Sequence, residues 1–146
     1  MIKFVYFDVG GVVISDFSDG TGKWDEMKRV MGVKKEFDRE FDELYDKYEL
    51  EELCLTRHVD TLIPIFSRKF GMKFPKDFSM LEYFVSHFNK NTSLWPVTDL
   101  IHRKCGIGML TNMYVDMLSA IEKQRLLSPV KFEVVIDSTV VGIQKP

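Results

Sequence analysis

The sequence predicts an α/β protein in which a Rossmann-like parallel sheet carries an inserted block of helices. Three short apolar segments have the pattern of strands: residues 2–8, 106–110 and 132–137. The first is of the kind that is buried on both faces of a parallel sheet. Helical patterns separate them, and strands that alternate with helices favour a parallel sheet with right-handed crossovers. The interval 15–90 is too long for one crossover and is dominated by helical patterns. We expect it to form a helical cap on an α/β core made of residues 1–14 and 91–146.

The first strand delivers one carboxylate, Asp8, onto a glycine turn that contains Gly10 and Gly11. Open α/β sheets bind ligands at the carboxyl ends of their strands, and glycine lets a backbone approach a phosphate closely. An Asp before two glycines also makes an ordinary turn. This segment alone therefore leaves a binding site and a simple turn as alternatives.

The interval between the first two strands carries four helical patterns, in which apolar residues recur three, four or seven positions apart. Thr56 is predicted to be the N-cap of the third helix, and Pro64 is predicted to kink or split that helix. Gly32 and Gly71 are predicted to end the first and third helices. The four helices are expected over residues 23–31, 37–48, 56–71 and 80–88.

The second strand leads directly into Thr111 and Asn112, and a helix is expected from there to Arg125. The Thr111 hydroxyl and nearby N–H groups could hold phosphate oxygens, although the same position suits an ordinary N-cap. Asn112 has the same two interpretations. Lys145 could offset the charge of an Asp8–phosphate pair, or it could be a solvated loop residue.

Three segments in this order resemble the motifs of the haloacid dehalogenase-like (HAD) hydrolase superfamily: Phe4-Val5-Tyr6-Phe7-Asp8, Gly106-Ile107-Gly108-Met109-Leu110-Thr111 and Lys145-Pro146. Asp8 matches the family's nucleophilic Asp, Thr111 its Thr or Ser, and Lys145 its Lys. The long stretch between the first two motifs suits members with a helical cap. The resemblance covers the whole chain and implies hydrolysis of a phosphomonoester through an aspartyl-phosphate on Asp8.

The resemblance also implies a set of ligands and a substrate class. Mg²⁺ would bind the Asp8 carboxylate and the Gly10 backbone carbonyl. The substrate would be a small phosphorylated metabolite. Asp8 and Lys145 would be the catalytic residues, and the phosphate would contact Gly11, Thr111, Asn112 and Lys145.

Two departures from the family pattern predict impaired turnover. Most phosphatases of the family have a second Asp, the general acid and base, where this chain has Gly10. The family's fourth motif, an acidic pair after another strand, has no counterpart, so we expect a C-terminally truncated core with its first strand exposed at the sheet edge. The alternatives are a non-catalytic fragment or pseudoenzyme that self-associates or binds a partner through this edge, and a 2-haloacid dehalogenase.

Composition bears on compartment and partners. The chain has 146 residues, of which 45% are hydrophobic, with a net charge of −2, so its charge favours neither nucleic acid nor an anionic membrane. No apolar stretch is long enough to span a bilayer. Cys54 and Cys105 are predicted to be free thiols, as is usual in a reducing cytoplasm, where we expect the protein.

Overall fold

The computed structural model describes residues 1–146, apart from the side chain of Asp19, and has a mixed α/β fold. Its strands are β1 (Phe4–Phe7), β2 (Ile14–Ser15), β3 (Asn89–Lys90), β4 (Gly106–Thr111) and β5 (Val134–Asp137). Its α-helices are α1 (Lys23–Met31), α2 (Asp38–Tyr48), α3 (Ile63–Phe70), α4 (Met80–Ser86), α5 (Trp95–His102), α6 (Met117–Lys123) and α7 (Ser138–Val141). Short 3₁₀ turns cover Phe17–Asp19, Lys35–Phe37 and Val59–Leu62, and one π-helical turn covers Glu49–Leu53.

The main sheet contains three parallel strands in the order β1-β4-β5. Its register pairs Phe7 with Met109 and Thr111 with Asp137. The expectation of an α/β protein with a parallel sheet is confirmed at this level. The strand β1 forms one edge of the sheet, as the sequence predicted.

The two faces of the main sheet differ in their packing. Ile107 and Met109 lie on one face and are buried, and Met109 belongs to the hydrophobic cluster that the helices share. On the other face the rings of Phe4 and Tyr6 lie over Gly106 and Gly108, where a Cβ would come within 3 Å of them. Tyr6 is 46% exposed, and Leu110 and Val134 on the same face are also exposed. Helices therefore cover the sheet mainly on one side.

A small second sheet is formed by the residues that flank the helical segment, which we define as residues 16–88. Its strands β2 and β3 pair antiparallel immediately before and after that segment. The side-chain amide of Asn91 adds a bond by donating to the carbonyl of Val12 at 2.7 Å. Neither strand was predicted, because two residues are too few to show a period-two pattern.

The helical segment is packed chiefly through aromatic rings. The ring centroids of Phe41 and Phe66 lie 4.6 Å apart, and both side chains are fully buried. The same cluster of buried residues includes Met109 of β4 and Ile121 of α6, so one hydrophobic core joins the helical segment to the sheet. The division into core and cap at residues 14 and 91 stays a prediction.

Most of the helices in this segment lie near the positions expected. The helix α1 matches the prediction, and Gly32 ends it in the left-handed conformation, with φ of 79°. The prediction of Thr56 as an N-cap is wrong, because the 3₁₀ turn begins after His58, whose Nδ1 accepts the N–H of Asp60. Pro64 lies in the first turn of α3. Backbone N–H groups in that turn have no partner within the helix, so the N–H that proline lacks removes no helical hydrogen bond.

The longest helix, α2, contains 11 residues and is rich in charged side chains. Within the described chain, no helix combines the length and the apolar character needed to cross a membrane.

Candidate active site

Polar residues meet at the carboxyl edge of the main sheet. Asp8 directly follows β1, and Thr111 and Asp137 are the last residues of β4 and β5. Carboxyl ends of neighbouring parallel strands open onto the same crevice, which is where α/β folds place their ligands. The Asp137 carboxylate accepts the N–H and hydroxyl of Thr139, so it caps α7.

An ion pair between Asp8 and Lys145 forms the centre of this edge. The Lys145 Nζ lies 2.5 Å from the Asp8 Oδ2 and donates to the carbonyl of Leu110 at 3.3 Å. The N–H of Val9 donates to the other carboxylate oxygen at 2.8 Å. The side chains of Asp8 and Lys145 are 42% and 26% exposed, so the pair remains accessible to a small ligand.

Asn112 fixes the backbone of Lys145. Its Oδ1 accepts the N–H of Lys145 at 2.9 Å, and its Nδ2 donates to the carbonyl of Lys145 at 3.2 Å. The neighbouring Gln144 donates from its side chain to the carbonyl of Leu50 at 3.0 Å. The segment around Lys145 is thus joined both to the end of β4 and to the helical segment.

The loop after Asp8 is one tight turn. The N–H groups of Val13 and Ile14 both donate to the carbonyl of Val9 at 3.0 Å. Gly11 has φ of +69°, a left-handed conformation that glycine adopts without steric cost. The turn leads directly into β2.

Asp16, which the sequence analysis did not single out, lies beside Gly10. A Cβ built on Gly10 would meet the Asp16 Oδ2 at 2.6 Å. The Asp16 Oδ2 therefore lies about as far from this Cβ position as the carboxylate oxygens of an aspartate at position 10 would lie from their own Cβ. The Asp16 Oδ1 accepts the N–H and hydroxyl of Ser18 at 2.9 and 2.6 Å, which orients the carboxylate. The Asp16 carboxylate is also the N-cap of the 3₁₀ turn Phe17–Asp19.

The Thr111 hydroxyl is a buried polar group without a described partner. The residue is 2% exposed, and its Oγ1 makes no hydrogen bond within the described part of the chain. An orphan hydroxyl of this kind costs about 1–3 kcal/mol. Neither Thr111 nor Asn112 caps a helix, since α6 begins only at Met117. A ligand oxygen that reached Thr111 after a small local displacement would satisfy the hydroxyl.

The oxygen donors at this edge could hold Mg²⁺ only together with water or a substrate phosphate. Among the described residues, no group of three or more His, Cys, Asp or Glu side chains is arranged to hold a metal ion. Mg²⁺ commonly uses only one or two carboxylates together with water and substrate phosphate. The Asp8 carboxylate and the Gly10 carbonyl are oxygen donors of that kind, and carboxylate oxygens have more lone pairs than Val9 and Lys145 use.

Comparisons with known proteins add nothing to this geometry. No protein-family model matches the chain, and a search of curated proteins finds no significant match.

Proposed function

We propose that this chain is a HAD-type phosphomonoester hydrolase in which Asp8 is the nucleophile. The observation that carries the proposal is the contact between Asp8 and Lys145 at the carboxyl edge of a parallel sheet. A lysine beside the nucleophile stabilises the negative charge that grows on the phosphoryl group. A Rossmann-like core with a helical cap, entered and left through β2 and β3, is part of the same proposal.

The reaction would proceed in two displacements. An Asp8 oxygen attacks phosphorus, the bond from phosphorus to the ester oxygen breaks, and the leaving alcohol takes a proton from a general acid. Water then attacks the phosphorus of the aspartyl-phosphate and gives its proton to the same group, now a base. The products are the alcohol and inorganic phosphate, and Asp8 is regenerated.

Asp16 is the general acid and base of the proposal. Its carboxylate occupies the space that a side chain at Gly10 would need, next to the loop of Asp8. A positioned carboxyl group that transfers protons in this way contributes about 10²–10⁴-fold to the rate. In this proposal the absence of an acidic side chain at position 10 is offset by Asp16, the residue that directly follows β2.

The remaining site residues would hold the phosphoryl group and its counter-ion. The Thr111 hydroxyl supplies a hydrogen-bond donor that has no described partner, and Gly11 permits close approach of the loop backbone. Asn112 acts by positioning Lys145, to whose backbone both of its amide atoms are bound. When bound, Mg²⁺ would be held by Asp8 and the Gly10 carbonyl and would neutralise charge on the phosphate.

The first test is hydrolysis of p-nitrophenyl phosphate, with and without added Mg²⁺, by the wild-type chain and by Asp8→Asn. We expect release of p-nitrophenol that Asp8→Asn abolishes and Lys145→Ala strongly reduces. Asp99→Asn, which removes an acid on α5 paired with Arg103, is the matched control and should retain full activity. Turnover by Asp8→Asn equal to that of the wild type would overturn the proposal.

The role of Asp16 is tested by varying the leaving group. Asp16→Asn should lose about 10²-fold or more in rate on phenyl phosphate and distinctly less on p-nitrophenyl phosphate, whose leaving group needs little protonation. Asparagine can still cap the turn that contains Ser18, so the fold should be kept. Equal losses on both substrates would exclude Asp16 as the acid.

A second candidate function is self-association without catalysis. It is favoured by the position of β1 at the sheet edge and by the exposed Tyr6 on the open face. Light scattering after size exclusion should then give a mass that rises with concentration, and Tyr6→Lys should suppress the rise. A monomer at all concentrations would exclude this function.

A further inference from the structure

A cavity of about 270 Å³ lies between the helical segment and the loop after β4. Its walls are aromatic residues from separate parts of the chain, and the acidic residues Asp46 and Glu49 also line it. Trp24 and Tyr45 have ring centroids 4.6 Å apart, and the Trp24 ring is stacked against Phe84 at 6.4 Å. The other aromatic walls are Phe17 and Tyr114.

A chain of hydroxyl groups ends on one of these carboxylates. The Tyr45 hydroxyl donates to the Tyr114 hydroxyl at 2.9 Å, and the Tyr114 hydroxyl donates to the Glu49 Oε1. Burial raises the pKa of the Glu49 carboxyl, the Tyr114 hydrogen bond opposes the rise, and the acidic neighbours Asp46 and Asp16 add to it. The charged residues among those that line the cavity, Asp46 and Glu49, are both acidic.

Two short stretches of chain and one hydrogen bond connect the cavity to the candidate active site. Phe17 follows Asp16, whose carboxylate lies beside Gly10. Tyr114 lies two residues after Asn112, which holds the backbone of Lys145. On the third side, the carbonyl of Leu50, next to Glu49, accepts from Gln144, the residue before Lys145.

We propose that this cavity binds an organic ammonium group, so that the substrates are phosphate monoesters of amino alcohols. Aromatic faces attract cations through their quadrupole, and aromatic cages are a known means of binding quaternary ammonium groups. The two carboxylates add charge complementarity, whereas they would repel a second anionic group. The assignment of substrates rests on the proposed phosphatase function, but the cation site itself is testable without turnover.

The test is titration of Trp24 fluorescence with choline, in a Trp95→Phe background that removes the other tryptophan. The control ligand is 3,3-dimethyl-1-butanol, which has the shape of choline without its charge. We expect saturable binding of choline at least about tenfold tighter than that of the neutral alcohol. Glu49→Gln should weaken choline binding several-fold, and Glu51→Gln, the same change at an exposed neighbouring acid, should leave it unchanged.

Two results would overturn the inference: no saturable signal with choline, or equal affinity for the two ligands. An equal loss in Glu49→Gln and Glu51→Gln would also contradict the assignment to this cavity. Hydrolysis of p-nitrophenyl phosphate, measured on the same preparations, separates the two proposals. Choline binding without Asp8-dependent turnover would leave the cation site standing and remove the phosphatase function, whereas turnover without choline binding would do the reverse.

Discussion

The helical segment and the parallel sheet are stabilised in different ways. In the helical segment, aromatic rings pack on one another around Phe41, and the buried Lys28 contacts three carboxylates. The sheet has an open face and an open edge, and its carboxyl edge is held by a few polar bonds to Lys145. We infer that the global stability depends mainly on the helical segment, whereas the geometry of the site depends on individual polar bonds.

The largest effect is expected from Phe41→Ala. The ring is fully buried against Phe66, and removing a buried phenylalanine ring typically costs about 3–5 kcal/mol. Tyr6→Ala, which removes a half-exposed ring from the open face of the sheet, should cost clearly less. Urea denaturation of both variants measures the difference, and equal losses would contradict the comparison.

Lys28→Met tests the charge cluster in the helical segment. The Lys28 side chain is 6% exposed and contacts Asp25, Asp38 and Asp42 at 2.7 to 3.3 Å. Burial lowers the pKa of Lys28, but the bonds to Asp38, Asp42 and Asp25 outweigh it, and the net shift is upward. The substitution leaves three carboxylates without their cation, and we expect a loss of about 1–3 kcal/mol.

The pH dependence of this loss follows from the direction of the shift. A raised lysine pKa contributes stability that is fully present below the unfolded pKa of about 10.4 and is lost only as pH rises through the folded value. The difference between wild type and Lys28→Met should therefore be constant from pH 7 to pH 9. Arg29→Met is the control, because Arg29 is exposed and pairs with Glu26 at 3.7 Å. Similar losses in both variants would disprove the special role of Lys28.

A smaller effect on stability is expected from Asn112→Ala at the sheet edge. Two hydrogen bonds to the Lys145 backbone are lost, which costs roughly 1–2 kcal/mol. The backbone amide of Lys145 should lose its protection from hydrogen exchange, which NMR would detect directly. Asn112→Asp keeps the acceptor and should keep that protection, so exchange that is equally fast in both variants would argue against this bond.

The smallest change, and the only one with a stabilising sign, is expected from Glu49→Gln. Because the pKa of Glu49 is raised mainly by burial, folding favours its protonated form. The stability from this group is present below the unfolded pKa and is lost as pH rises through the folded pKa. Glu49→Gln should therefore raise the melting temperature at pH 7 and have little effect at pH 4, and a lower melting temperature at pH 7 would refute this prediction.

Local signals explain which parts of the fold were predictable. The strand β1 and the helix α1 were predicted because an apolar run and a helical repeat ending at Gly32 are strong short-range patterns. The strands β2 and β3 were missed because each has only two residues. The helix α7 was also missed, since its four residues begin directly after β5. Family membership and the catalytic roles stay predictions.

Sequence patterns were sufficient for the order and type of the long elements and for a polar group after each of β1 and β4. The edge position of β1, which the structure shows, had been expected from the family resemblance and not from these patterns. Only the tertiary structure decided that Lys145 forms an ion pair with Asp8 and that the Asp16 carboxylate lies beside Gly10. It also decided that aromatic residues line a cavity next to Glu49. These contacts join residues from elements far apart along the chain, and no short-range periodicity or propensity encodes which side chains the packing of whole elements brings together.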